Sequence, residues 1–171
     1  VGNLGIDIRM IAPSHGIIWR SHAGEILKAY TDWSHGVSKD KVTIVYDTMH
    51  GSTTMLAKAI AEGVMAEGVD LRVCLLRDGR YEGTHRSDIV TEILDSKAVL
   101  VGSPTLQDEV LPTVAGFLSY LRGLQPGRLT AKKIGCGFGS HGGMGGAVAK
   151  IEEALKEAGI EVIDGGFHVN Y

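Results

Sequence analysis

A turn rich in hydroxyl side chains separates an apolar strand pattern from a helical one, and it constrains the fold more than any other stretch. Positions 42–45 predict a buried strand, and positions 52–67 repeat apolar residues at helical spacing. The turn contributes one glycine and four hydroxyls, from Gly51, Thr48, Ser52, Thr53 and Thr54. Backbone N–H groups at a helix start, together with hydroxyl donors, suit a phosphate group. Because the turn has no P-loop lysine, a monophosphate is favoured over a nucleoside triphosphate, and a Ser/Thr-capped helix start is the alternative.

Strand and helix patterns alternate from residue 41 onwards. Strands are predicted at 41–46, 70–76, 98–102, 133–139 and 161–164, and helices at 52–67, 87–95, 112–124 and 145–158. This alternation predicts an α/β fold with right-handed crossovers and a doubly wound parallel sheet that has helices on both faces. A further helix normally follows the last strand of such a sheet. The sequence stops at Tyr171 without one, so we expect a fragment or a cover supplied from elsewhere.

The first 40 residues have a different character. Apolar residues at 6, 8 and 10 alternate with polar ones and predict a half-buried strand, and positions 21–33 predict a short helix. The loop between them contains His15, which in isolation reads as an ordinary loop residue. Residues 34–40 are polar and include one glycine, a composition typical of a linker.

Three loops with glycine and hydroxyl residues follow the first, third and fourth predicted strands. They cover positions 48–54, 102–109 and 139–146. In an open parallel sheet, ligands bind beyond the carboxyl ends of the strands, at the point where the strand order reverses. Small residues let a flat ligand approach the backbone. The three loops together therefore predict a site for a planar cofactor that carries a phosphate.

Composition excludes several classes of partner. A net charge of −3 gives no electrostatic reason to expect nucleic acid or an anionic membrane surface. The sequence has no apolar run of about 18 residues and no signal peptide pattern. Cys74 and Cys136 lie in predicted strands without metal-site spacing, so we interpret them as buried small hydrophobes. This use of cysteine fits a reducing, cytoplasmic setting.

Three stretches form a recognisable set: YDTMHGST at 46–53, GSPT at 102–105 with the Leu-Pro pair at 111–112 behind it, and FGSHG at 138–142. Together they resemble the flavodoxin-like domain of flavodiiron proteins, also called A-type flavoproteins. The resemblance implies a flavodoxin-like five-stranded parallel sheet of order 2-1-3-4-5 over residues 41–171, with FMN as cofactor.

The same resemblance implies which residues contact FMN. The phosphate of the cofactor is expected at Thr48, Ser52, Thr53 and the backbone around Gly51, with Met49 and His50 as further cofactor-binding residues of the same turn. Thr53 is expected at an exposed helix start. The ring system is expected between two further sets: Ser103, Pro104, Thr105 and Leu106, and Ser140, His141, Gly142 and Gly143.

Residues 11–20, IAPSHGIIWR, are similar to the last motif of the family's N-terminal domain. The resemblance implies that residues 1–33 are the tail end of a metallo-β-lactamase-like domain and that His15 is a ligand of a non-haem diiron centre. The chain lacks the HxExDH ligand cluster, and one imidazole cannot hold two irons. The diiron chemistry is therefore expected in an N-terminal domain that this chain does not include, and we assign no catalytic residue here.

The resemblance also implies an activity and its partners. In the family, FMN relays electrons to the diiron site, which reduces O2 to water or NO to N2O. Electrons come from a reduced deazaflavin cofactor or from rubredoxin, and the implied oligomer is a head-to-tail homodimer. We therefore expect part of an FMN-dependent oxidoreductase.

Three positions depart from the family pattern. The family often has aromatic residues where this sequence has His50, His141 and Gly143. The two imidazoles can stack on a flavin or hydrogen-bond to it, or they are solvated loop residues. Two other functions stay open: a stand-alone flavodoxin-like NAD(P)H:quinone reductase, against which the IAPSHG segment argues, and a flavin-free interaction domain with the same fold, which the departures keep open.

Overall fold

The computed structural model describes residues 6–76, 83–129, 132–143, 145–163 and 165–170. Met144 of the third predicted loop and position 164 of the fifth predicted strand lie outside this part of the chain. The elements in chain order are α1 Ala23–Ser34, β1 Lys39–Tyr46, α2 Ser52–Ala66, β2 Asp70–Leu75, α3 Arg86–Leu94, β3 Ser96–Pro104, α4 Pro112–Leu124, α5 Pro126–Leu129, β4 Ile134–His141, α6 Ala147–Glu157, β5 Glu161–Val162 and β6 Phe167–Asn170.

The strands form a parallel sheet in the order β2-β1-β3-β4-β5, which confirms the predicted α/β fold and strand order. The short strand β6 is an addition that the sequence patterns did not predict. Both β5 and β6 pair with β4, β5 beside its first residues and β6 beside residues 138–141. The number difference between paired residues rises from 27 to 29, so two extra residues separate the segments. Strands β5 and β6 therefore lie along the same edge of β4 with a shift of two residues in register between them.

Helices cover both faces of the sheet, as the sequence predicts for parallel strands. One face carries α3, α4 and α6, whose apolar residues form a large core with Val45, Val99 and Val101 of the sheet. The other face carries α2, which packs through Ala57 and Ala61. The partners of α2 on the sheet are three large side chains, Ile44, Tyr46 and Phe138.

Two glycines let neighbouring layers approach closely. A Cβ atom added at Gly102 of β3 would lie 2.3 Å from the ring of Phe138 on β4. A Cβ added at Gly137 would lie 3.2 Å from the Val148 side chain of α6. The missing side chain at Gly102 leaves room for the ring of Phe138 over β3, and the missing side chain at Gly137 lets α6 pack directly on β4.

The region before β1 differs from its sequence prediction. The strand predicted around residues 6, 8 and 10 is wrong: these residues lie outside any strand, and Ile6 and Met10 are 62% and 56% exposed. An alternating pattern forms a strand where a partner is available, and from residue 6 to the start of α1 the structure has one antiparallel bridge, between Ile11 and Trp19. Helix α1 agrees closely with the predicted 21–33. The connection from α1 to β1 is residues 35–38, inside the predicted linker.

The two cysteines are buried free thiols, which confirms their interpretation as small hydrophobes. Burial raises the pKa of both thiols and so disfavours the reactive thiolate. None of the helices in the described ranges is long and apolar enough to span a membrane.

A buried lysine organises the edge of the sheet where the strands begin. Lys133 precedes β4 and has no exposed surface. Its ammonium group donates to the carbonyl oxygens of Leu94, at 3.0 Å, and Ser96, at 2.7 Å. Leu94 is the last residue of α3, where a cation complements the helix dipole. Burial lowers the pKa of Lys133 to about 8, an effect that the charge of Asp95 opposes.

We predict that Lys133→Met lowers the free energy of unfolding by about 1–3 kcal/mol at pH 7, because two buried carbonyls lose their donor. The pKa of Lys133 is about 8 in the folded chain, and its ordinary value of 10.5 applies in the unfolded chain. Between pH 8 and pH 10.5 the unfolded chain therefore binds one more proton at this lysine than the folded chain does. The free energy of unfolding of the parent should therefore rise with pH through this window. The two hydrogen bonds persist after deprotonation, because a neutral amine still has two protons to donate. Denaturant unfolding at pH 7 and pH 9.5 should show a wider gap between parent and variant at the higher pH. A gap that narrows would contradict this assignment.

Candidate functional site

The three predicted loops converge at one edge of the sheet. They follow β1, β3 and β4, which are adjacent strands and end at Tyr46, Pro104 and His141. Direct hydrogen bonds join the loops. The Thr105 N–H donates to the Ser140 carbonyl at 2.8 Å, and the hydroxyls of Ser52 and Ser140 lie 2.9 Å apart. The convergence expected from the parallel topology is therefore present.

The turn after β1 leads into α2 without a side-chain cap. Gly51 is the N-cap residue, with φ of 90° and open space where a Cβ would stand. The Thr48 hydroxyl accepts from the Gly51 N–H at 3.0 Å and so closes the turn onto itself. Met49 and His50 are exposed at its tip. The alternative interpretation, a Ser/Thr-capped helix start, is not what the structure has, and the positive end of the α2 dipole faces the loops.

Thr53 lies deeper than the sequence suggests. Its side chain was expected at an exposed helix start, yet the residue has no exposed surface. Its hydroxyl lies 3.4 Å from the hydroxyl of Ser140, on the neighbouring part of β4. The exposed-start expectation is wrong because α2 packs flat on the sheet through Ala57 and Ala61, which turns Thr53 inwards as well.

Asp47 is a site residue that the sequence reasoning missed. It follows β1 directly and is 6% exposed. One carboxylate oxygen accepts from the Thr48 N–H at 2.7 Å, and the other accepts from the hydroxyl of Thr113 in α4. Asp47 therefore ties the first turn to the helix that follows the second loop. A carboxylate placed directly after a buried strand was the available signal.

The second loop divides into a buried part and an exposed part. Ser103 is buried, where its hydroxyl accepts from the Leu111 N–H at 2.9 Å and donates to the Pro104 carbonyl at 2.8 Å. Thr105 accepts from the Ala147 N–H at 3.3 Å and so links the loop to α6. Leu106 is exposed. Of the four predicted residues, Ser103 and Pro104 thus support the loop from below, and Thr105 and Leu106 lie at its surface.

The second loop also makes a tight turn. Leu106 and Glu109 form an antiparallel bridge, with reciprocal hydrogen bonds of 2.9 and 3.0 Å. The two residues between them, Gln107 and Asp108, have φ angles of 50° and 65°. Gly146 accommodates this turn, because a Cβ there would lie 2.3 Å from the Asp108 carboxylate.

In the third loop, consecutive residues point to opposite faces of the sheet. Ser140 faces α2, as Phe138 does, whereas the imidazole of His141 packs beside Gly145 at the start of α6. The four residues predicted as one set therefore separate, and Ser140 belongs with the first turn. Gly142 and Gly143 are exposed, with open space where a Cβ would stand.

His141 holds a buried polar atom without a partner. The residue is 8% exposed, and its Nδ1 accepts from the Gly143 N–H at 3.3 Å. This bond places the proton of a neutral ring on Nε2, which has no hydrogen-bond partner among the described residues. The ring of His168 lies 4.8 Å away, edge to face. An unpartnered buried donor beside three converging loops indicates a place for an acceptor.

His15 belongs to none of the three converging loops. It is exposed in the loop that the Ile11–Trp19 bridge closes. Within the described ranges, no group of three metal-ligating side chains is placed to hold a metal ion. The structure therefore leaves the metal assignment of His15 as a prediction.

Comparison with known proteins agrees with this geometry. The model of the flavodoxin family matches residues 44–171. The coenzyme F420H(2) oxidase of Methanothermobacter marburgensis is 51% identical over 91% of this chain and 37% of its own length. The nitric oxide reductase of Moorella thermoacetica is 43% identical over 95% of this chain and 39% of its own length. The chain thus spans less than two fifths of these relatives.

A solved structure gives the same match. The rubredoxin oxygen:oxidoreductase of Desulfovibrio gigas superimposes with a TM-score of 0.78 at 32% identity. The alignment covers 99% of this chain and 40% of that protein. The likeness therefore includes the region before β1 as well as the sheet.

We predict that His141→Leu leaves the ligand-free chain as stable as the parent or more stable by about 1 kcal/mol, because it removes an unpaired buried donor at nearly constant volume. His141→Gln, which keeps a buried amide in that region, serves as the matched control and should not show the gain. Thermal and denaturant unfolding without added ligand measure both. A loss of more than about 1 kcal/mol in the leucine variant would contradict the prediction, because the contacts of the imidazole would then outweigh the cost of its unpaired donor.

Proposed function

The chain belongs to the flavodoxin family, and from that premise we propose that it is the FMN-binding electron-transfer domain of a flavodiiron oxidoreductase. The observation that carries the proposal is the convergence of three loops on the uncapped start of α2 at the carboxyl edge of β1, β3 and β4. In this strand order, β1 and β3 flank the reversal point where ligands of doubly wound sheets bind.

The residues present fit such a cofactor. The turn at Gly51 and the Ser52 hydroxyl would hold the phosphate, with the positive end of the α2 dipole behind them. The exposed side chains Met49, His50 and Leu106 and the open backbone at 142–143 would border the ring. Bound FMN supplies the redox chemistry, while the protein binds it, orients it and sets its electrostatic surroundings.

We extend the proposal to the longer protein. Residues 1–33 would be the tail of a metallo-β-lactamase-like domain, 34–40 a linker and 41–171 the FMN domain. His15 would then bind iron in a diiron centre completed by upstream residues, which reduces O2 or NO. Support comes from the match to the Desulfovibrio gigas protein, which covers 99% of this chain.

Partners and setting follow the same proposal. One relative is named for F420H(2) and one solved structure for rubredoxin, which supports a reduced deazaflavin or rubredoxin as electron donor. We also propose a head-to-tail homodimer, in which the FMN of one chain serves the metal site of the other, and a cytoplasmic location, in keeping with two free cysteines.

We predict that FMN binds the chain and that Gly51→Ala raises its dissociation constant at least tenfold. Gly51 has φ of 90°, which strains any residue with a Cβ, so the turn must shift. Gly63→Ala is the matched control: Gly63 is an exposed residue inside the same helix with open space around it. This control should gain about 0.5–1 kcal/mol of stability and keep FMN affinity.

Fluorescence titration of FMN measures both variants. A parent that binds no FMN would favour the flavin-free interaction domain. Steady turnover of NADH with a quinone by the FMN-loaded chain would favour the quinone reductase. Equal FMN affinity in parent and Gly51→Ala would remove the turn from the site.

We further predict that, in a protein that carries this chain together with its upstream domain, His15→Ala lowers iron content and abolishes O2 or NO reduction. Flavin reduction by the donor should remain, because His15 lies outside the loop cluster. His35→Ala is the control, since His35 caps α1 through the Thr31 carbonyl. Metal analysis and single-turnover flavin reduction test both. Unchanged iron in His15→Ala would overturn the ligand assignment.

A further inference from the structure

Three hydroxyl groups from two elements line up behind the turn that we propose as the phosphate site. We propose that Thr53, Ser140 and Ser52 form a directed hydrogen-bond chain that makes Ser52 a donor to the cofactor phosphate, with Ser140 as the positioning residue. The inference rests on the proposed function and adds a role for Ser140, which sequence reasoning assigned to the ring system.

The geometry places Ser140 at the centre of this chain. Its Oγ lies 2.9 Å from Oγ of Ser52 and 3.4 Å from Oγ1 of Thr53. Side chains alternate along β4, so Ser140 shares with Phe138 the face that α2 covers. The residue is 2% exposed, and Thr53 is fully buried. Ser52, by contrast, is partly exposed and lies at the open side of the group.

The direction of the chain follows from what each group can donate. A hydroxyl carries one proton, and a phosphate dianion accepts hydrogen bonds without donating any. If Ser52 gives its one proton to a phosphate and keeps its hydrogen bond to Ser140, the Ser52 oxygen must be the acceptor in that bond. Ser140 can supply that proton and can accept from Thr53 in turn. Ser140 and Ser52 then each donate once and accept once, with Thr53 as the first donor, and bonds aligned in this way strengthen one another.

The backbone holds Ser140 independently of a ligand. Its carbonyl accepts from the Thr105 N–H at 2.8 Å, and Ser140 pairs with Pro104 in the register of β3 and β4. The sheet therefore holds the backbone of Ser140, and Ser52, which Ser140 supports, is the first residue of α2. A hydroxyl anchored on the sheet behind that donor preorganises it before binding.

The test compares FMN with riboflavin, which has the same ring and no phosphate. In the 171-residue chain, Ser140→Ala should raise the dissociation constant of FMN about tenfold, the effect of roughly one charged hydrogen bond. The dissociation constant of riboflavin should stay unchanged. Cys136→Ala is the matched control, because it truncates a buried residue on the same strand and the same face, away from the loops.

A double-mutant cycle separates positioning from direct contact. If Ser140 acts through Ser52, the Ser52→Ala/Ser140→Ala double variant should lose no more FMN affinity than Ser52→Ala alone. If Ser140→Ala does not fold, Ser140→Cys keeps the side chain near its volume with a poor donor and should show the same FMN-specific loss.

The outcomes are distinct. A loss confined to FMN, together with a non-additive cycle, supports the inference. Equal losses for FMN and riboflavin, additive losses in the cycle, or no loss in Ser140→Ala overturn the inference and leave the proposed function standing. A parent chain that binds neither ligand overturns the proposed function and the inference together.

Discussion

The whole arrangement depends on the parallel pairing of β1 with β3 and of β3 with β4. Towards their carboxyl ends these pairings run in register for five and seven residues, and they bring the ends of all three strands to one edge. A parallel sheet requires helical cover on both faces, and the helices that provide it start at that same edge. Strand pairing therefore determines which loops meet, before any side chain at the edge contributes.

Side chains then lock the loops together in a network that uses both charge and hydroxyl chemistry. Asp47 joins the first turn to α4, Thr105 joins the second loop to α6, and Lys150 on α6 pairs with Glu109 at 3.1 Å. The Asp47 carboxylate is buried, so its hydrogen bonds offset the cost of removing a charge from water. As a result, a ligand in this cluster meets a largely prearranged surface.

The sequence predicted the larger features because they rest on periodicity. Helix positions and the convergence of the loops follow from apolar repeats and the rules of parallel sheets, whereas the strand order was implied by the family resemblance. Predictions failed where tertiary packing decides. Thr53 is buried because α2 lies flat on the sheet, and residues 6–10 form no strand because their segment offers one bridge. Asp47 was missed since a carboxylate after a strand is ambiguous until its partners are known.

The helix starts near the site favour the phosphate end of a cofactor over its ring. Helices α2, α4 and α6, which follow the central strands, have no hydrogen bond from an N-cap side chain. Helix α3, which follows the edge strand β2, is capped by His85. Uncapped helix starts favour an anion, whereas a flat ring gains most from aromatic neighbours.

Apart from the imidazole of His50, the described residues at the loop tips offer the ring flexible or small side chains, such as Met49, Leu106 and Gly143. Stacking contributes little at such residues, because an aromatic pair adds about 0.5–1.5 kcal/mol beyond area burial. In the proposed function, the phosphate end must therefore supply a larger share of FMN affinity than in relatives with aromatic loop tips. The hydroxyls of Ser52, Thr53 and Ser140 lie at this phosphate end, where they would contribute to FMN affinity.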